Sequence, residues 1–501
     1  MVDYLHDENQ SIINQMDVFF NAESIAVIGA SKSEGKVGQI IFKNLADNKR
    51  RSIYTGELYP INPNEKSILG YTCYPTLMEV LGEVELIIVA VPAGIVPSVM
   101  EDASKKGVKA AAIITSGFSE VGNKELEEEV RHIATKAGIR VVGPNCLGVY
   151  DAYTGIDMLF LPETKTLLNK NVVIATPRPT PGNIAIVTQS GAFGAAAIDS
   201  LAGQEMGLSK LISFGNKMDV SEQDILLYLL NDEKTEVILL YIEGIKDGRR
   251  FMEIAKKVTK SKPVIALKAG KTQAGTRAAL SHTGSIAGSD KIYDGVFKQV
   301  GILRARNMEG FFDLAKALAL QPPAHGKNIG IITDAGGPGI MASDECETLG
   351  LNVRPLSEKT VNKFRELVAE NEIPSYAAFG NPIDLTGVVT SKMYELSTKI
   401  LLEDPEIDGI IILGLHHTPH LTEDFTDRIA KLFNEYQKPI VACDIGETEM
   451  ANYIRSRFNK LGIPAYSSPE DTAYAMSGLV EYGIYLAHTT NHKNILSAAR
   501  M

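Results

Sequence analysis

The chain has 501 residues, a length that suits about three domains of roughly 150 residues each. Hydrophobic residues make up 45% and charged residues 22%, the balance of a globular protein with real cores, and the formal net charge of −11 excludes the broad basic face that nucleic-acid binding needs. An anionic small ligand is not excluded, because backbone donors bind anions whatever the net charge.

The first residues, Met1 to Gln10, are polar and acidic and do not read as a secretory signal. Positions 1–20 read as an N-terminal extension. No uncharged apolar run approaches the ~18 residues of a membrane span. Cys73, Cys146, Cys346 and Cys443 are scattered without a CxxC pair, which argues for a reducing compartment and against a zinc site. A cytoplasmic protein that binds neither membrane nor nucleic acid is expected.

A first domain is expected over 21–160. Ser24–Gly29 is a short apolar run ending in glycine, followed by the glycine-containing turn Ala30–Gly38 and a helical pattern through Asn44. Strand, glycine turn and helix open a doubly wound sheet, and such a turn can cradle phosphates because a helix N-terminus favours negative charge. Further buried strands read at Leu86–Val91, Ala111–Thr115 and Arg140–Val142, and alternating strands and helices imply a parallel sheet. The pattern departs from a dinucleotide fingerprint. Gly29 and Gly35 are too far apart for GxGxxG, and the second strand, ending at Tyr59-Pro60-Ile61-Asn62-Pro63, carries no acid for a ribose hydroxyl. Turn residues follow every strand end, at Val91-Pro92-Ala93, Ser116-Gly117-Phe118 and Gly143-Pro144-Asn145-Cys146.

A second domain is expected over 161–320. After the proline-rich stretch Pro177–Gly182, strand Asn183–Thr188 runs into Gln189-Ser190-Gly191-Ala192-Phe193-Gly194 and a small-residue helix, Ala195–Leu201. Strands at Glu236–Ile242 and Pro263–Leu267 lead to Glu243-Gly244 and Lys268-Ala269-Gly270-Lys271. A loop around Ser281-His282-Thr283-Gly284 follows. Glu243, Lys268 and His282 therefore belong near one sheet edge. Neutral imidazole is a nucleophile near pH 7, and a carboxylate beside it would fix its tautomer. Taken alone, His282 reads first as an inert loop histidine, Glu243 also fits a solvated strand-end charge, and Lys268 and Lys271 fit surface lysines.

A third domain is expected over 321–501. Strand Asn328–Thr333 passes into Asp334-Ala335-Gly336-Gly337-Pro338-Gly339 and a helix, Ile340–Leu349, which repeats the plan of the second domain. Strands follow at Gly409–Leu413 and Lys438–Ala442. His416, His417 and His420 form an HHxxH loop with no evident matching carboxylate, a poor zinc pattern, and no metal site is expected.

Taken together, the stretches SIAVIGAS, YPINP, ITSGF, GPNCLGVYD, VTQSGAFG, FGNKMDV, YIEGIKDGRRF, KPVIALKAGKT, SHTGSIAGSD and ITDAGGPGI resemble the NDP-forming acyl-CoA synthetases, most closely the α-subunit type of ADP-forming acetate–CoA ligase, a superfamily that includes succinyl-CoA synthetase. The resemblance covers nearly the whole chain after about Asn21. It implies an α/β protein of three doubly wound parallel-sheet domains, one Rossmann-like and CoA-binding and two flavodoxin-like. By position it implies that Gly29, Ser31, Lys32, Asn62, Pro63, Val91, Pro92, Ser116, Gly117 and Asn145 line coenzyme A. It makes His282 the transiently phosphorylated residue and Glu243 its hydrogen-bonding partner. Gln189, Ser190, Gly191 and Ala192, and Gly336, Gly337, Pro338 and Gly339, become two helix starts that hold the phosphoryl group. The implied reaction joins a small carboxylic acid and CoA with ATP, through an acyl phosphate and phospho-His282, giving acyl-CoA, ADP and phosphate.

One part of that family is missing from the motifs. Mg-ATP or ADP would sit in an ATP-grasp module, which none of the three segments resembles. The expectation is an ATP-grasp β subunit or a fused C-terminal ATP-grasp domain, in an α₂β₂ heterotetramer or a homodimer of fused chains. The alternatives are a CoA-sensing regulatory module without turnover and an NAD(P) dehydrogenase. His282 and Glu243 argue against the first, and the glycine spacing against the second.

Overall fold

The computed structural model describes the backbone of residues 2–283 and 289–498, and side chains over 9–278 and 289–489. The chain forms two compact units, Met1–Arg304 and Ala305–Met501.

The first unit opens with helix α1 (Val2–Asn21). Met16, Phe19 and Phe20 on this helix are fully buried, so the segment expected as an extension supplies core side chains. Strand β1 (Ser24–Ile28), helix α2 (Val37–Arg50), β2 (Glu57–Ile61), β3 (Leu86–Val89), α3 (Val96–Lys106), β4 (Ala110–Ile113), α4 (Lys124–Ala137) and β5 (Arg140–Val142) follow. The five strands form one parallel sheet in the order β2-β1-β3-β4-β5. Its three central strands β1, β3 and β4 are buried throughout, as a sheet covered on both faces requires. The order reverses between β1 and β3, and in an open parallel sheet a ligand binds beyond the strand ends at that switch point. Gly29 stands there with φ +90°, and a Cβ on Gly38 of α2 would run into its carbonyl oxygen. The helix can seat on the β1 turn because neither residue has a side chain.

The second sheet belongs to the same unit. Its elements are β6 (Gly148–Asp151), β7 (Pro181–Thr188), α5 (Gly191–Gly203), β8 (Leu208–Ser213), α6 (Glu222–Asn231), β9 (Val237–Ile242), α7 (Gly248–Val258), β10 (Val264–Lys268), α8 (Gln273–Thr283), α9 (Asp290–Val300) and β11 (Leu303–Arg304). The order is β11-β10-β9-β7-β8-β6, with β6 antiparallel at the edge and the others parallel. The parallel core repeats the order of the first sheet, with its switch point between β7 and β9. Strand β6 comes from the segment expected in the first domain, so the two sheets share chain across the expected boundary near 160. Phe20 of α1 stacks on Tyr228 of α6 at 4.7 Å between centroids, a second tie. A ribbon of 164–166 paired with 172–174 is inserted before β7.

The second unit has a third sheet of the same kind. Its elements are α10 (Met308–Leu320), β12 (Ile329–Thr333), α11 (Gly336–Thr348), α12 (Glu358–Ala369), β13 (Ala378–Phe379), β14 (Ile383–Asp384), α13 (Ser391–Glu403), β15 (Gly409–Gly414), α14 (Phe425–Tyr436), β16 (Ile440–Asp444), α15 (Glu449–Lys460), β17 (Ala465–Tyr466) and α16 (Pro469–Ala498). The order is β13-β14-β12-β15-β16-β17, parallel except for β13. Helix α10, expected in the second domain, packs on α16 instead. It is buried from Gly310 through Leu318 and so needs cover on all sides.

The chain is thus an α/β protein built on three mostly parallel, doubly wound sheets of Rossmann and flavodoxin type, with antiparallel edge strands in the second and third that its motifs did not imply. No helix among the described residues is long and apolar enough to cross a membrane. The Gly38 contact gives a direct check. A helical Gly→Ala change ordinarily gains about 1 kcal/mol from propensity. Gly38→Ala is expected to reverse that sign and to cost about 1–3 kcal/mol through overpacking against Gly29, read by urea denaturation.

Candidate active site

A cavity of about 770 Å³ in the first unit joins the carboxyl edges of its two sheets. Val91, Pro92, Ser116 and Asn145 line it from the first sheet, and Gln189, Ser190, Gly191 and Ala192 from the second. Four of the proposed CoA contacts and the whole first helix start therefore share one space. Gly215 and Asn216, which sequence reasoning did not single out as site residues, line it too. Of the remaining expected CoA residues, Gly29, Ser31, Lys32, Asn62 and Pro63 follow the ends of β1 and β2, and Gly117 follows β4. Ser31 Oγ accepts from Ser33 N–H at 3.1 Å, and Asn62 donates to Ala30 O at 2.7 Å. Gly117 holds φ +110°, and Pro63 is exposed. Lys32 pairs with Glu65 at 2.9 Å and lines a separate groove along α2, together with Lys43 and Arg178.

The second sheet's switch point is built by side chains that splice two strand ends. The Thr188 hydroxyl donates to Ser190 O and accepts from Ser190 N–H, both at 3.0 Å, fixing the exit from β7. The Ser190 hydroxyl caps α5 by accepting from Phe193 N–H at 3.2 Å. The first N–H groups of that helix, at Gly191 and Ala192, face no intrahelical acceptor and stand at the cavity lining with the positive end of the helix dipole. Sequence reasoning placed Gly191–Gly194 in a turn before the helix. They form its first turn, because Ser190 rather than Gly194 is the capping residue.

Gln189 crosses from β7 to β9. Its Oε1 accepts from Glu243 N–H and from Gly244 N–H, the latter at 3.0 Å, which leaves its amide NH₂ as a donor at the cavity lining. The next turn is held equally closely. Lys217 Nζ donates to Gly244 O and pairs with Glu222 at 3.0 Å, and the Tyr293 hydroxyl accepts from Ile245 N–H at 3.1 Å. Glu243 itself is 7% exposed, and its Oε2 has no partner among the described residues. A buried carboxylate oxygen left without a donor is costly, so a donor is called for at that place.

His282, expected in a loop, falls in the last turn of α8, because Arg277, Ala278, Ala279 and Leu280 before it are strong helix formers. The His282 side chain lies outside the described residues. Lys268 is not a surface lysine. It is 1% exposed, with its Nζ 4.7 Å over the Tyr293 ring, and burial holds its ammonium below the usual lysine range. Lys271 is exposed.

The second unit repeats this construction with different charges. The Thr333 hydroxyl donates to Ala335 O at 2.9 Å and accepts from Ala335 N–H at 3.0 Å, as Thr188 does. Gly336–Gly339 again form the first turn of the helix. Asp334 takes the place of Gln189 and accepts from Leu415 N–H at 3.2 Å. Burial raises its pKa to about 6. A Cβ on Gly336 would also stand 3.2 Å from Asp384 Oδ2. An anion at this helix start meets Asp334 where the first unit has the neutral Gln189, and Asp384 beside Gly336. The carboxylate that the HHxxH loop lacked in the sequence is Asp444, at the end of β16, whose Oδ1 lies 2.5 Å from His416 Nδ1.

Comparison with known proteins agrees with this geometry. Family models match over three successive spans: a CoA binding domain over 23–152, a succinyl-CoA ligase like flavodoxin domain over 181–318, and a ligase-CoA domain over 329–483. That succession defines the class of acyl-CoA synthetases related to succinyl-CoA ligase. Within it, the α subunit of the ADP-forming acetate–CoA ligase II of Pyrococcus furiosus is 39% identical over 479 residues, covering 93% of this chain and 97% of the relative. The acetate–CoA ligase (ADP-forming) of Methanocaldococcus jannaschii is 39% identical, and this chain spans 62% of its length. A solved acetyl-coenzyme A synthetase of Ca. Korarchaeum cryptofilum, in complex with phosphate and ADP, superposes with a TM-score of 0.84 at 36% identity, covering 95% of this chain and 98% of that one. The chain belongs to the family of ADP-forming acetate–CoA ligases and their α subunits.

Asp334 supplies a pH test. Its folded-state pKa, about 6, is raised above the unfolded value, so folding binds the proton more tightly. The contribution is most favourable below pH ~4 and is lost as pH rises through ~6. Asp334→Asn is therefore expected to gain on the order of 1–3 kcal/mol relative to the parent between pH 4 and pH 8, read by denaturant titrations at both values.

Proposed function

We propose that this chain is the CoA-binding and phosphohistidine-carrying part of an ADP-forming acyl-CoA synthetase acting on a small carboxylic acid, with the nucleotide chemistry in an ATP-grasp partner subunit or fused domain. The observation that carries the reading is the pairing of one cavity with one orphaned oxygen. The cavity runs from the edge of the CoA-type sheet to the α5 start, and Glu243 Oε2 waits at that switch point for a donor.

Each residue has a part in this reaction. Phosphate attacks the acyl-CoA thioester carbonyl, and the C–S bond breaks to give acyl phosphate and CoA. His282 then attacks phosphorus in line, and the carboxylate leaves. Glu243 accepts the N–H of the other ring nitrogen, holds the attacking nitrogen unprotonated and stabilises the ring as it gains positive character. The Gly191 and Ala192 N–H groups and the Gln189 amide donate to phosphoryl oxygens, where the α5 dipole favours the dianion. Phospho-His282 passes its phosphoryl group to ADP in the partner module. Making the transfer in two steps replaces one attack that needs acyl phosphate and nucleotide in the same place. The Gly336–Gly339 start has the same backbone construction and is a candidate for the same ligand.

Two features support a ligase over a CoA sensor: the splice of Gln189 to the Glu243 turn and the family membership. A sensor needs neither a buried carboxylate with one oxygen unpartnered nor a capped helix at the lining of the CoA cavity.

The test is incubation with acetyl-CoA and labelled phosphate. Acid-labile, alkali-stable label on the protein is expected. His282→Ala abolishes the label and leaves CoA binding intact, and Glu243→Gln slows labelling about 10- to 100-fold, the scale on which removing a tautomer-holding partner acts. A folded protein that binds CoA but never takes label with short-chain acyl-CoAs would overturn the enzymatic reading.

A further inference from the structure

Two neighbouring residues on one loop serve both ends of the cavity. Asn216 and Lys217 follow β8, and their side chains reach into different sheets. Asn216 Nδ2 donates to Glu120 Oε2 at 2.6 Å, to Glu127 Oε2 at 2.9 Å and to Ser119 Oγ at 3.2 Å. The Glu120 carboxylate in turn accepts from Gly117 N–H and from Phe118 N–H at 3.2 Å, and so holds the turn Ser116–Phe118 that lines the CoA side. Burial alone would raise the Glu120 pKa, but these donors outweigh it and keep the carboxyl ionised below its ordinary range. On the other side, Lys217 Nζ holds Gly244 O, one residue after Glu243.

The loop between these grips is tightly held. Gly215 has φ +50°, and a Cβ there would run into the carbonyl oxygens of Pro144 and Asn145. Lys217 holds φ +47°, in the left-handed region that an L side chain rarely adopts, and its own carbonyl accepts from Lys246 Nζ at 3.2 Å. Backbone held in a sparsely populated region persists where its surroundings over-determine it, and such positions cluster at functional sites. Lys217 is 5% exposed and Glu222 1%, so the pair is desolvated and geometrically fixed.

We infer that Asn216 and Lys217 are positioning residues that couple the CoA side of the cavity to the Glu243 turn. The connection runs from Ser116–Phe118 through Glu120 to Asn216, across one peptide bond to Lys217, and on to Gly244 and Glu243. Filling the CoA side fixes the Ser116 turn, and the same hydrogen bonds then fix the carboxylate that serves the imidazole. Phosphoryl transfer would in this way be favoured while CoA or its thioester is in place. The inference rests on the CoA reading of the cavity given above.

Hydrogen–deuterium exchange of the full chain tests it without needing turnover. CoA is the probe, and its binding is measured by calorimetry in parallel. In the parent protein, CoA is expected to slow exchange at least 5-fold in a peptide spanning Glu243–Lys246. In Asn216→Ala, CoA at a concentration that calorimetry shows to saturate the variant leaves exchange at Glu243–Lys246 unchanged. Lys217→Arg, which keeps the charge facing Glu222, retains part of the protection, whereas Lys217→Met with Glu222→Gln loses it. Equal protection of the Glu243 peptide in parent and Asn216→Ala would overturn the coupling. Protection of the Ser116 turn alone in the parent would overturn it too. Absence of any CoA binding by the parent would instead overturn the reading of the cavity on which the coupling stands.

Discussion

The two hydrogen bonds accepted by the Gln189 side chain hold the centre of this protein together. A parallel sheet ends at its switch point with strand tips that diverge, since the helices following them leave on opposite faces. Gln189 closes that gap by taking the N–H groups of Glu243 and Gly244 on one oxygen. The position of the Glu243 carboxylate depends on this splice, and the placement of α5 above it depends on the neighbouring Thr188 and Ser190 bonds. One residue therefore sets the distance between a helix dipole and a buried carboxylate.

The second unit shows what changes when the acceptor becomes charged. Asp334 makes the corresponding tie to Leu415, and the Thr333 bonds repeat those of Thr188 almost distance for distance. Gly194 and Gly339 each face the methyl of that threonine, where a Cβ would lie 3.2 and 3.0 Å from it. The same backbone device is thus used twice, with a neutral amide at one copy and an acid at the other. Because burial lifts the Asp334 pKa to about 6, the second copy changes charge near neutrality while the first does not. Helix dipoles of equal size therefore present different potentials to an anion.

The doubly wound plan explains why chemistry can be shared across sheets. Three sheets with the same order put their glycine turns, capping residues and strand-end polar groups at carboxyl edges. In the first unit two of those edges border one cavity. Small residues such as Gly215 allow a loop of the second sheet to pass against Pro144 and Asn145 of the first. Close packing of backbone on backbone leaves little freedom, so a displacement at one edge is felt at the other.

Much of this was legible in the sequence because it is local. Apolar runs ended by polar or glycine turns marked β1, β3, β7, β9, β12 and β15 within a residue or two, while both glycine-bordered helices begin four residues earlier than their sequences suggested. The end of β9 just before a polar turn likewise placed Glu243 at the carboxyl edge of the second sheet. Tertiary structure alone decided the rest. Asn216 reaches Glu120 across 96 residues, Lys217 reaches Gly244 across 27, and His416 finds Asp444 across 28. None of these pairs has a periodic or spacing signature, because hydrogen bonds between loops follow from where the sheets end in space. The buried state of Lys268, the adoption of β6 by the second sheet and the pairing of α10 with α16 are of the same kind. Local propensity chooses strand or helix, while burial and partnership are properties of what the finished fold brings alongside.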